Sequence, residues 1–248
     1  MDRKITAAKR HPELEIAYHS NPLEKTGNDR VFSRGTKFGL IDYFGHEEKN
    51  IPFANLAATI ITKKLSLPIH KAFHQASLEL PVKAEELGKK INRTTLTPFA
   101  TGIGFDYANG KLTSASAGHL PALFIYRNEK GELKHEFYEN HSAISTREPL
   151  GISEKEYEQP KGSLPTNGIW IAYSDGITET KTSLGRKGNG EGQKQLAETA
   201  LKILRKHPKT QNNMKLFLEK LRRELRKQKS KQTDDETLIA FKPKGFRL

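Results

Sequence analysis

Apolar and polar residues alternate over residues 13–20 (ELEIAYHS), the pattern of a strand with one buried face. A Pro/Gly/Asn-bearing connection runs through Gly27, and RVFSR and TKFGLID follow, the second a mostly apolar strand run ending on Asp42. Over residues 53–65 the period becomes helical. Phe53, Ala57, Ile60, Ile61 and Leu65 fall on one face, which predicts an amphipathic helix beginning just after Pro52. Two short helices are predicted beyond it. One follows Pro68, with Ile69, Phe73 and Ala76 aligned; the other follows Pro81, with Leu87 and Ile91 aligned and Asn92 near its end. From Pro98 the strand period returns in PFATGIGFD, a turn at 107–110, KLTSASAG, a break at 119–121 and ALFIYR. Asn109-Gly110 is the best hairpin signal of the chain. A turn at 128–131 leads into ELKHEFYE, and GIWIAYS (168–174) is another buried strand, followed at once by Asp175. Two basic helices come next. The first aligns Leu196, Ala200, Ile203 and Leu204 and stops near His207-Pro208; the second aligns Met214, Phe217, Leu218, Leu221 and Leu225. The chain closes on the strand ETLIAFK, preceded directly by Asp234 and Asp235. With no internal repeat and no long linker, this order predicts a polar N-terminal extension over 1–12 and one α+β domain with many antiparallel strands over 13–248.

Composition narrows the chemistry. A chain of 248 residues can bury a core of its own. Without cysteine it has no disulfides, no thiolate metal sites and no cysteine nucleophile, so its chemistry rests on oxygen, nitrogen or metal. No run approaches the roughly 20 apolar residues a bilayer needs, and MDRKITAAKRHPELE lacks the apolar region of a secretory signal. A cytoplasmic protein without a membrane span is expected. The formal net charge is +13, and +12 of it lies in residues 181–232. Clustered Lys and Arg raise the idea of a nucleic-acid or acidic partner. The plainer reading, solvated faces of two amphipathic helices, is favoured by the regular core spacing of their apolar residues. The sharper reading is a docking surface for an acidic regulatory partner. Nucleic acid ranks last, because Phe217 is the one aromatic residue of the segment.

Three acidic residues stand at strand ends: Asp42 after KFGLI, Asp175 after IWIAYS and Asp234 just before TLIAF. Each taken singly reads as a turn residue, since Asp near Gly is common in loops. If the strands neighbour one another, the carboxylates converge, and like charges ~4 Å apart repel by about 4 kcal/mol at an effective dielectric near 20. Protons or cations must relieve that repulsion. A pair of hard divalent cations would do so and would activate water for attack on phosphorus.

Five words of the sequence, in this order, resemble the PPM-type (protein phosphatase type 2C-like) metal-dependent serine/threonine phosphatases, closest to their bacterial SpoIIE-type branch. TGNDRVF carries Asp29 in the place of the first acidic motif. LIDYFGHEEKN and its Ala-rich helix resemble the Asp-x-x-Gly-His-Gly word. FATGIGFD, a turn and KLTSASAGHLPALFIY resemble the hairpin ending in Ala-Gly-His-x-Pro. WIAYSDGITET resembles the Tyr-[Ser/Thr]-Asp-Gly word, and DDETLIAF the closing Asp-Asp-x-Thr strand. The resemblance implies two antiparallel β-sheets packed as a sandwich flanked by helices, and two divalent metal ions, manganese or magnesium. Asp42 would bridge the metals, the Tyr43 carbonyl would bind one of them, and Asp175 and Asp234 would complete the set. Asp29 would be a further ligand or supporting acid. Asn28 and Glu47 stand where the family has glycine. The implied reaction is hydrolysis of phosphoserine or phosphothreonine on a bacterial signalling protein, such as an anti-sigma factor antagonist, by direct attack of a metal-bridging water. The alternative is a catalytically idle module of the same shape that binds a phosphorylated or acidic partner.

Other signals are weaker. His70 and His74 are four apart on a predicted helix, but HKAFH lacks the glutamate of a zincin motif, and both are expected at the surface. His119 after the hairpin reads as a packing residue before a proton donor. The Gly-rich stretch 185–192 fits no nucleotide-binding pattern, and no GxSxG elbow is present.

Overall fold

A computed structural model describes residues 6–7, 11, 13–22, 27–44, 50–93, 99–138, 148–152, 162–182, 185–187, 189–228 and 234–248. The chain divides into two compact units of interleaved segments. The first comprises Met1–Leu23, Leu120–Glu139 and Pro165–Leu248; the second comprises Glu24–His119 and Asn140–Leu164.

The second unit is built on a four-stranded antiparallel sheet, β3 (Arg30–Arg34), β4 (Lys37–Tyr43), β5 (Ala100–Ala108) and β6 (Lys111–Ala117), in that spatial order. The β5–β6 turn follows from its residues. Asn109 and Gly110 adopt φ of 53° and 73°, which a two-residue hairpin loop of this hand requires. Helices α1 (Ile51–Lys64) and α2 (Ile69–Lys90) cover one face. The expected stripe of Phe53, Ala57, Ile60, Ile61 and Leu65 is buried throughout. Helix α1 begins at Ile51, so Pro52 sits in the first turn, where its missing N–H costs nothing.

Helix α2 differs from expectation. It is one helix of 22 residues with Pro81 inside it, and not two short ones. Pro81 deprives the Ser77 carbonyl of its helical donor, a cost of about 3 kcal/mol. Burial of Ile69, Phe73, Ala76 and Leu80 before it and Ala84 after it offsets that, since each large side chain contributes roughly 1.5–3 kcal/mol. Asn92, at φ 51°, ends the helix, and the Arg93 amide closes on the Gly88 carbonyl. His70 corrects a second expectation. It is buried, because the first turn of α2 lies on the core side beside Ile69 and Phe73.

The first unit holds a six-stranded antiparallel sheet in the spatial order β1-β2-β12-β9-β7-β8. These strands are β1 (Thr6–Ala7), β2 (Leu14–Asn21), β7 (Ala122–Arg127), β8 (Leu133–Tyr138), β9 (Gly168–Tyr173) and β12 (Glu236–Pro243). Strand β1 pairs Thr6 with Tyr18, so the N-terminal stretch joins the sheet. A single turn, α3 (Asp175–Thr178), follows β9, and a two-stranded ribbon follows in turn, β10 (Thr180–Thr182) with β11 (Gly185–Lys187). That ribbon carries no alternating apolar signature and was not expected. Helices α4 (Asn189–Lys206) and α5 (Met214–Lys227), joined by a 3-10 turn, pack the expected Leu196, Ala200, Ile203, Leu204, Met214, Phe217, Leu218, Leu221 and Leu225 onto one sheet face. On β7, β8, β9 and β12 an aromatic cluster forms, with Trp170 4.6 Å from Phe124, 4.9 Å from Tyr138 and stacked on Phe241. The two antiparallel sheets with their helices agree with the expected α+β class. Among the described residues no helix is long and apolar enough to cross a membrane.

Candidate active site

In the first unit, Asp175 and Asp234 are carried by segments that touch. Strand β9 pairs Tyr173 with Leu238 of β12, which sets the start of α3 beside the start of β12. Ser174 fastens the two. Its amide donates to the Thr237 carbonyl at 3.0 Å, its Oγ accepts from the Thr237 amide at 2.9 Å, and its hydroxyl donates to the Asp235 carbonyl at 3.1 Å. Gly176 makes the approach possible. A Cβ there would stand 2.0 Å from the Asp235 carbonyl oxygen and 3.0 Å from the Asp234 Cβ, so no other residue fits without backbone movement. Asp234 and Asp235 are buried, at 7% and 5% exposure, whereas Asp175 is half-buried. The Asp234 Oδ1 accepts the Asp235 amide at 2.6 Å, which orients one carboxylate edge. Asp175 opens α3 and holds it through its carbonyl, which accepts from the Glu179 amide at 2.7 Å and from the Thr178 hydroxyl at 3.2 Å. Just upstream, burial pushes the Tyr173 hydroxyl well above the usual tyrosine range, Gln193 opposing the shift, so this side chain stays neutral.

In the second unit, β4 ends on Asp42 and Tyr43, which pair with Thr101 and Ala100 of β5. Strand β3 begins by pairing Arg30 with Ile41, so Asp29 lies just before the strand, at the end of the sheet where β4 carries Asp42. Asp29 is buried at 5% exposure and Asp42 half-buried. Arg30 braces the approach to β3. Its guanidinium donates to the Asp29 carbonyl at 2.7 Å, to the Gly27 carbonyl, and to Asn55 of α1 at 2.6 Å.

The structure thus places the segments that carry Asp175 and Asp234 against each other in one unit, and in the other it places Asp42 at the end of β4 and Asp29 just before β3. Among the described residues no group of three or more His, Asp or Glu side chains lies close enough to hold a metal ion. Gly45, His46, Glu47 and Glu48 lie outside the described residues. Sequence reasoning missed Ser174, Gly176 and Thr237 as the parts that position the acids. Their signal was present in SDG and DDET, as small or hydroxylated residues beside each aspartate.

Known proteins share the family and the fold of this chain. The family model of stage II sporulation protein E (SpoIIE) matches residues 55–244. No curated protein matches the chain. Among solved structures, the RsbU and RsbW domains of a Mycobacterium tuberculosis protein superpose with a TM-score of 0.69 at 16% identity, over 96% of this chain. The chain spans 62% of that two-domain structure. RsbX in complex with magnesium superposes with a TM-score of 0.58 at 11% identity, over 96% of this chain and 99% of that one. The catalytic domain of the serine/threonine phosphatase PstP, in complex with two manganese ions, gives 0.56 at 14% identity, over 94% and 99%. With the family model spanning most of its length and the fold shared throughout, the chain belongs to the SpoIIE family of PPM-type protein-serine/threonine phosphatases.

Proposed function

We propose that the chain hydrolyses phosphoserine or phosphothreonine on a phosphorylated signalling protein in the bacterial cytoplasm, an anti-sigma factor antagonist being the favoured class, with two manganese or magnesium ions as cofactors. The observation that supports this reading is the close approach at Gly176, which packs the segment that carries Asp175 against Asp234 and the Asp235 carbonyl. Without a metal such an arrangement costs like-charge repulsion; with hard divalent cations, all-oxygen donors of this kind fit well. Asp42, Asp175 and Asp234, with the Tyr43 carbonyl, are the groups that would hold the ions, and Asp29 would be a further ligand or supporting acid. When bound, the ions supply an activated water and offset charge on the phosphoryl oxygens.

The chain's own part is to place oxygen donors. Ser174 and Thr237 lock the backbone from which Asp175 and Asp234 project. The pairing of β4 with β5 does the same for Asp42. In the reaction, water oxygen bonds to phosphorus as the ester P–O bond breaks, and the serine or threonine hydroxyl leaves with a proton from that water.

The test is hydrolysis of p-nitrophenyl phosphate and of a phosphoserine protein, with and without manganese, on the wild type, Asp42→Asn and Asp175→Asn. Manganese-dependent turnover that falls by about a thousandfold in both variants is expected, a loss near 4 kcal/mol of barrier reduction. Wild-type protein that binds the phosphoprotein but never turns it over would instead make the chain an idle binding module.

A further inference from the structure

A second site lies at the other end of the first unit's sheet. Between the β7–β8 turn and the C-terminal end of α4 is an open groove of about 640 Å³, with the buried Leu133 and Leu204 as its apolar floor and exposed Arg127, Lys134, Arg205 and Pro208 around them. Leu133 and Leu204 are buried, whereas the three cations are exposed. The groove is far from the acidic pair by two measures. Strand β7 pairs Tyr126 with Gly168, the first residue of β9, while Asp175 follows the last; at about 3.3 Å per residue this is roughly 20 Å. Helix α4 passes Thr178 at Gly192 and reaches Arg205 thirteen residues later, again roughly 20 Å at 1.5 Å per residue.

The charge balance of the groove is positive. Its one carboxylate, Glu132, is engaged at home: it accepts from Asn128 at 2.9 Å and from Lys134 at 3.1 Å, and these contacts hold it below the usual carboxylate range. Arg205 has no ion-pair partner among the described residues, and exposed Lys206 and Lys209 flank it. The apolar spacing of α4 explains why Leu204 points inward; it does not call for three cations around a hollow with an apolar floor.

We propose that this groove docks an acidic segment of a protein partner, its carboxylates on Arg127 and Arg205 and an apolar side chain against Leu133 and Leu204. An apolar floor with mixed Arg and Lys walls suits an acidic peptide better than nucleic acid, because the groove offers no aromatic ring for base stacking. The inference does not depend on the catalytic reading.

The experiment uses the full chain and a fluorescent peptide of repeating Glu-Glu-Leu, followed by anisotropy. Saturable binding is expected, at least about tenfold weaker in the double variant Arg127→Glu/Arg205→Glu, because reversing both charges converts attraction into repulsion. The double variant Lys215→Glu/Arg223→Glu makes the same charge change outside the groove and should bind as the wild type does. Melting curves confirm folding, and p-nitrophenyl phosphate turnover should be equal in all three proteins. Equal weakening in both double variants would reduce the effect to net charge and overturn the proposal. So would an absence of saturable peptide binding, or displacement of the peptide by a single-stranded oligonucleotide at lower concentration than by unlabelled peptide.

Discussion

The acidic ends of the two units are secured by different means. In the first unit, Asp175 and Asp234 depend on contacts between residues about sixty positions apart, a glycine that admits the Asp235 carbonyl and a serine that bonds both strands. In the second unit, Asp42 sits within a regular ladder, and Asp29 stands just before β3, its carbonyl held by a partly exposed arginine. A carboxylate placed by a buried close approach tolerates almost no change around it. One placed by a ladder draws on many backbone hydrogen bonds and should tolerate side-chain changes nearby. Substitutions can break or sharpen this contrast.

The largest effect is expected at Gly176. Gly176→Ala forces a methyl against the Asp235 carbonyl oxygen, and the first unit should lose about 3 kcal/mol or more, seen as a lower urea midpoint together with lost manganese-dependent activity. Wild-type stability in that variant would show that the cradle is loose and the contrast unfounded. Ser174→Ala comes next. It removes one buried donor and one acceptor and leaves the Thr237 amide and Asp235 carbonyl short of a partner, for about 2 kcal/mol by chemical denaturation. The smallest effect is expected for Arg30→Ala in the second unit, about 1 kcal/mol, because its bonds are partly exposed and the β3–β4 ladder remains. If Arg30→Ala costs as much as Ser174→Ala, the second unit's acids are held by side chains after all.

Most elements were legible because their apolar spacing reports local geometry. Asn109-Gly110 marked its hairpin because few other pairs accept positive φ at both positions. The stripes of α1, α4 and α5 were readable because one face of each is buried against a sheet. Pro81 misled for a physical reason. Its local cost is real, and only burial on both sides of it in α2 outweighs that cost, which no local pattern reveals. His70 misled similarly, since a polar side chain on a helix reads as exposed unless the packing direction of its first turn is known. The ribbon β10–β11 has no apolar face and so gave no signal.

For the candidate site, the residue types and their places at strand ends could be read directly, because an aspartate leaving an apolar strand next to glycine is a local feature. The neighbour of each aspartate could not. The register of β9 on β12 sets the start of α3, with Asp175, beside the start of β12, and the register of β3 on β4 sets the sheet end at which Asp42 stands. Pairing between strands distant along the chain is chosen by the burial of whole faces, and a slip of one residue would turn every side chain to the opposite face. The amino-acid order therefore specifies which oxygens are available, while long-range packing alone decides which of them meet.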